Sequence, residues 1–168
     1  GIRERLVKKN ADAYEPDLAG SYSAAGVFYI NQGQPDKAEK YILAAIEIRE
    51  RLAKKNADAY EPDLAGCYNN AGNLYSNQGQ PEKAEKYYLA AIEIRERFAK
   101  KNADAYEPDL ADSYNNAGIF YSDHGQPEKA EKYYLDAIEI YERLVKKNAA
   151  AYEPALAGSY NNAGIFYK

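Results

Sequence analysis

The chain has 168 residues, of which 46% are apolar and 29% charged, so it can build a packed core and is too apolar for an intrinsically disordered segment. Its net charge is −4 with both signs mixed along the sequence, which leaves no basic footprint for nucleic acid or for an anionic membrane surface. Cys67 is the one cysteine, which excludes an internal disulfide and a cysteine-based metal cluster; with no apolar run long enough for a bilayer and no signal-peptide pattern, a cytoplasmic protein is the expectation.

The first ten residues, GIRERLVKKN, match 47–56 and read as the C-terminal half of a helix. Three full units follow, 11–56, 57–102 and 103–148, and residues 149–168 read as a linker and a lone first helix. The period is fixed by AYEP, which begins at Ala13, Ala59, Ala105 and Ala151, each 46 residues after the last. Units 11–56 and 57–102 differ at only nine places, so the units arose by recent duplication or by consensus design. Self-similarity at such a period is the signature of a repeat architecture.

Each unit reads as a pair of helices. In the middle one, Pro62 suits the first turn of a helix. Leu64, Tyr68, Ala71 and Tyr75 then follow at the spacing of one helical face. Gly79 in NQGQ can take the left-handed conformation that closes a helix, and Pro81 starts the second. The inward stripe of that helix is Ala84, Tyr87, Tyr88, Ala91, Ile94 and Phe98. Glu82–Lys86, Glu93–Arg97 and Glu96–Lys100 are i, i+4 pairs on its outer face. Lys100 and Lys101 sit where the helix dipole favours cations. Asn102 leads into a linker, ADAYE, before Pro108 restarts the cycle. The helices would have about 16 and about 20 residues, roughly 24 and 30 Å. No strand pattern appears. One such pair cannot bury its own stripes, but stacked pairs can, so the expected fold is all-α, an α-solenoid of antiparallel helix pairs.

AGCYNNAGNLYSNQGQPEKAEKYYLAAIEI (65–94) resembles the tetratricopeptide repeat. Counting Ala65 as position one, the residues that carry the likeness are Tyr68, Ala71, Gly72, Tyr75, Gly79, Ala84, Tyr88 and Ala91. The match recurs from Ala111, and from Ala19 with Ile42 in place of an aromatic. The usual repeat has 34 residues; the extra residues after Ile94 make this one look like the longer repeats of kinesin light chains and their bacterial relatives. The resemblance implies a right-handed superhelix with the first helices lining a concave groove. It implies Gly26, Gly72, Gly118 and Gly164 at close helix contacts, where a mid-helix glycine is kept despite costing about 1 kcal/mol against alanine.

The family faces its groove with positions two, five, nine, twelve and thirteen of the first helix. The resemblance therefore implies a peptide-binding surface of Ser23, Val27, Ile30 and Asn31; Asn69, Asn73, Ser76 and Asn77; Asn115, Ile119, Ser122 and Asp123; and Asn161 and Ile165. The motif NNAG recurs at 69–72, 115–118 and 161–164, with SAAG at 23–26. The second asparagines (Asn70, Asn116, Asn162) suit local or inter-repeat hydrogen bonds. The first (Asn69, Asn115, Asn161) form a ladder that is either ligand-facing, where its amides would pair with a peptide backbone, or merely solvated. SAAG is either a changed reading surface or drift. The family's carboxylate clamp needs basic residues at positions two, five and six, and the full units have none.

No acid–base pair, metal set, phosphate loop or catalytic triad is visible, so neither enzymatic activity nor a cofactor is expected. His124 reads as a turn residue, and Cys67, which stands where other units have Ser21, Ser113 and Ser159, as a tolerated small side chain. Tyr14, Tyr60, Tyr106 and Tyr152 read as staples onto the preceding pair. The sequence thus predicts a protein or peptide partner, with no nucleic acid and no membrane. The alternative is a structural module that assembles with itself. With no Met, the chain reads as a fragment or a processed piece. Its last helix carries Ala157, Tyr160, Ala163 and Tyr167 as an apolar stripe, and the 16 residues missing from the fourth unit correspond to 123–138. Head-to-tail stacking through the terminal helices, a contact that does not close, is the matching expectation.

Overall fold

The computed structural model describes Arg5 and residues 10–164, with residues 11 and 12 described in backbone only. The expected half-helix at 1–10 lies largely outside this range. Among the described residues there are seven helices and no strand: α1 (Ala11–Asn31), α2 (Pro35–Lys55), α3 (Ala57–Asn77), α4 (Pro81–Lys101), α5 (Ala103–Asp123), α6 (Pro127–Lys147) and α7 (Ala149–Gly164). They fall into two compact units, Gly1–Tyr87 and Tyr88–Lys168.

The first helices are longer than the sequence suggested. α1, α3 and α5 each have 21 residues and begin five residues before the proline. The expected ADAYE linkers, and the one at the start of the fourth unit, are helical. The cause is the asparagine before each of them. Asn10, Asn56, Asn102 and Asn148 accept a hydrogen bond from the main-chain N–H of Ala13, Ala59, Ala105 and Ala151 at 3.1–3.3 Å. An N-cap of this kind stabilises a helix by roughly 1 kcal/mol. Pro62 then sits inside the helix, where it forfeits one bond, to the Asp58 carbonyl. Asn56 also closes α2, its N–H reaching the Leu52 carbonyl, so one extended residue joins two helices.

The other junction behaves as predicted. Gly33, Gly79 and Gly125 have φ of +63° to +67°. The N–H of Gly33 reaches Ile30 and that of Gln34 reaches Tyr29, both at 3.0 Å, the paired bonds of a glycine-terminated helix. Pro35 then opens α2 at a position that needs no N–H.

In the first unit α1 and α2 run antiparallel. Tyr41 near the start of α2 stacks on Tyr29 near the end of α1, while Arg51 near the end of α2 pairs with Glu15 near the start of α1 at 2.7 Å. α3 packs on α2 in turn. Leu18, Ala19, Ile48 and Leu52 form a core onto which Tyr22 and Tyr60 pack, so Tyr60 is a staple as expected. In the second unit α5 packs on α6 and α6 on α7. Its staple is Tyr106, edge-on to Phe98 at 5.2 Å.

Candidate functional site

The groove candidates on α1 and α3 separate into three kinds. Val27 is 36% exposed, Asn31 and Asn77 are exposed, and Ile30, Asn73 and Ser76 are half-buried. Ser23 is half-buried and accepts a hydrogen bond from Asn70 Nδ2 at 3.1 Å. Asn69 is only 5% exposed, which closes it off from a ligand passing over the helix. On α5 and α7, Ile119 is 41% exposed, Asp123 and Asn161 are exposed and Ser122 is half-buried. Asn115 Nδ2 donates to Ser159 Oγ at 2.7 Å. Ile165 lies outside the described residues.

The amide ladder therefore divides. Asn70 makes the inter-repeat bond foreseen for the second asparagines. Asn115, one of the first asparagines, is half-buried, and its amide links α5 to α7. Ser23 and Asn115, which share a place in the repeat, each bond a neighbouring first helix, Ser23 as acceptor and Asn115 as donor. The Ser23 hydroxyl also bonds the Cys67 thiol. Burial pushes that thiol above its ordinary value, with Ser23 and Arg49 opposing, so Cys67 is not a poised thiolate.

A cleft of about 290 Å³ opens in the first unit. It is lined by Ile30, Gly33, Gln34, Pro35, Leu74, Asn77 and Gln78. Ile30 and Asn77 come from the predicted groove; the glutamines, Pro35 and Leu74 were missed. The turn sequence GQP looked purely structural because it repeats. The available signal was a difference between aligned copies: Leu74 stands where the next unit has Phe120.

Paired aromatics and carboxylates tie first helices to second helices. Tyr68 Oη donates to Glu50 at 2.7 Å and Tyr75 Oη to Glu39 at 2.8 Å, with Tyr87 stacked on Tyr75 at 5.6 Å. Tyr114 Oη donates to Glu96 at 2.7 Å. Burial, then these carboxylates, hold the Tyr68, Tyr75 and Tyr114 phenols well above their ordinary value. His124 Nδ1 lies 2.7 Å from the Phe120 carbonyl and its ring 4.5 Å from the Phe120 ring. Among the described residues no three His, Cys, Asp or Glu side chains are grouped to hold a metal ion. No described helix is long and apolar enough to cross a membrane.

The repeat spacing and the small residues at the helix contacts meet an independent finding: a tetratricopeptide-repeat family model matches residues 17–97 and 63–143. The chain belongs to the tetratricopeptide repeat family. Its helix pairs are those of an all-α, tetratricopeptide-like solenoid. Among solved structures it is similar to BtubC (BKLC) from P. vanneervenii, a kinesin light chain-like repeat protein, at 27% identity and a TM-score of 0.74. That match covers 99% of this chain and 60% of the other, so the chain spans about three fifths of its neighbour's length. A comparison with curated protein sequences finds no significant match. Tetratricopeptide repeats point to a protein-interaction scaffold.

Proposed function

We propose that the chain is a non-catalytic cytoplasmic scaffold that holds a peptide segment against its first helices, the concave face of the family. One observation carries this reading. Leaving out the buried Asn69, the seven remaining groove candidates of α1 and α3 include no charged side chain, and two of them, Ile30 and Asn77, border the cleft. A surface left uncharged in a chain that is 29% charged suits apolar side chains and peptide groups. The test is an array of short peptides probed with the full chain and with Val27→Lys and Ile119→Lys. Both side chains are exposed, so melting should stay within a degree or two while peptide affinity falls about tenfold or more. Binding that survives both changes but is lost with Leu135→Lys, on the exposed face of a second helix, would move the site off the first helices.

The second reading is self-association, which the exposed aromatics favour. Phe28 is 56% exposed where its counterparts Leu74 and Phe120 are buried, and Tyr160 is 48% exposed. In the predicted stripe of α7, Ala157 is exposed and Ala163 buried, while Tyr167 lies outside the described residues. Scattering that stays monomeric at millimolar protein would remove this reading.

A further inference from the structure

We propose that the cleft in the first unit takes one uncharged, apolar side chain of a bound peptide and so fixes where along the peptide the chain sits. The inference rests on the peptide-binding reading above. At about 290 Å³ the cleft is at the lower end of the roughly 300–1,000 Å³ of small-molecule sites, the right scale for a side chain and its flanking peptide groups. Its apolar wall is Ile30, Pro35 and Leu74, and its polar rim is the three amides Gln34, Asn77 and Gln78. No charged side chain lines it, so a charged anchor would give up water there for an apolar wall; Lys37, beside the rim, is held by the Gln34 amide oxygen.

The rim narrows the ligand further. Gln34 Oε1 already accepts from Lys37 Nζ at 2.7 Å, and Lys37 lies over the Tyr29 ring at 5.2 Å. Gln78 Oε1 already accepts from Gln80 Nε2 at 2.8 Å. Each of those oxygens has one of its two lone pairs taken, so N–H donors outnumber free acceptor sites on both glutamines. Donors on either side of an apolar cleft match the carbonyl groups that flank an apolar residue in an extended peptide.

The next unit does not repeat the residues that shape the cleft. One unit further on, the residues corresponding to Leu74 and Ile30 are Phe120 and Ser76. The Phe120 ring is 3% exposed and packs 5.3 Å from Tyr88 and 4.5 Å from His124. Leu74 is 2% exposed, so Leu74→Phe would push its extra ring atoms toward the cleft, and Ile30→Ser would remove one of the three apolar wall residues from a half-exposed position.

The experiment uses the full chain as bait for a displayed library of random 12-residue peptides. Selected peptides are then measured against the parent, Leu74→Phe and Ile30→Ser. The expected result is a shared apolar residue in the selected peptides. Replacing it by alanine, filling the cleft and stripping its wall should each weaken binding about tenfold or more. Replacing the peptide residue should cost little further once Leu74→Phe is present. Should Leu74→Phe melt well below the parent, Ile30→Ser alone decides. Selected peptides that bind both variants as tightly as the parent overturn the cleft assignment and leave the peptide-binding reading standing. A library that yields no peptide above a bait-free control overturns both.

Discussion

The β-carbon that Gly118 lacks would lie 2.5 Å from Cε1 of the Tyr134 ring. α5 and α6 therefore touch through a glycine, and the aromatic occupies the space of its missing side chain. Gly26 stands in the same relation to Ile42, which is 1% exposed. Gly164, identical in sequence context, has no such neighbour within 4 Å among the described residues. Gly118→Ala and Gly26→Ala should each destabilise the chain by about 1–3 kcal/mol, through overpacking of a buried contact. Gly164→Ala should be neutral or stabilise by about 0.5–1 kcal/mol, as expected for a helical glycine with room around it. Urea unfolding of the three variants checks this, and equal effects at all three sites would refute the close-contact explanation.

Asn115, a candidate for ligand contact, also makes a bond between first helices. Its amide donates to Ser159, which is fully buried and itself donates to the Ala155 carbonyl at 3.0 Å. Asn115→Ala should cost about 0.5–1.5 kcal/mol, the net worth of one such bond. Asn115→Ala and Ser159→Ala should be non-additive in a double-mutant cycle. Asn161→Ala, at the equivalent but exposed position, should leave the midpoint unchanged. Additive effects of the first two changes would show that the bond does not matter.

What the sequence revealed and what it hid follow from the range of the interaction involved. Helix pairs, turn glycines and the buried stripe are periodic properties of a local segment: Ala71, Ala84 and Ala91 are fully buried as predicted, and Gly79 adopts the left-handed turn. The first-helix starts were misplaced because Pro62 is a visible signal and Asn56, which caps the helix through the Ala59 N–H, a quieter one. Tyr68 is half-buried, not buried, because its hydroxyl reaches Glu50 on the preceding helix. Contacts of that kind depend on the stacking between repeats. The cleft was invisible for the same reason: Ile30 and Leu74 are 44 positions apart and meet only after two helix pairs dock.

A buried cation is handled differently from copy to copy. Arg49 is 8% exposed and pairs with Asp63 at 2.7 Å, and Arg95 Nη1 donates to the Ser113 hydroxyl at 2.6 Å and to the Asp109 carbonyl. In the third copy the arginine becomes Tyr141, which donates to Asp112, and the aspartate position becomes Ala155. The charge and its partner are lost together. Asp63→Ala alone should cost about 1–3 kcal/mol, since it leaves a nearly buried guanidinium short of an acceptor. Asp63 itself is 59% exposed in its side chain, which keeps the figure from the higher range of a fully buried pair. Adding Arg49→Tyr should recover much of the loss. Thermal melts of the single and double variants decide it, and a double variant less stable than Asp63→Ala would refute the compensation.

The tyrosine network sets an upper pH limit on the fold. Burial, assisted by the Asp123 charge and opposed by the Ser122 hydroxyl, raises Tyr134 to about 12. Burial and then the Asp112 carboxylate it bonds raise Tyr141 further. Both phenols stay protonated in the folded chain at pH values where unfolded tyrosine, with a pKa of about 10, has begun to ionise. Between those two values the native state holds more protons than the unfolded state, so stability falls as pH rises. The contribution is complete below about pH 10 and is lost as pH climbs through the folded-state values. Melting temperature should therefore show no tyrosine-driven change up to about pH 9 and fall steeply beyond about pH 10. Tyrosinate absorbance should rise together with loss of helical circular dichroism, because the buried phenols ionise when the helices part. Tyr141→Phe removes one proton-retaining group and should make the alkaline fall shallower, whatever it does to stability at neutral pH. If all 18 tyrosines titrate as one simple curve near 10 while helicity persists, the hydroxyl–carboxylate bonds do not hold the repeats together.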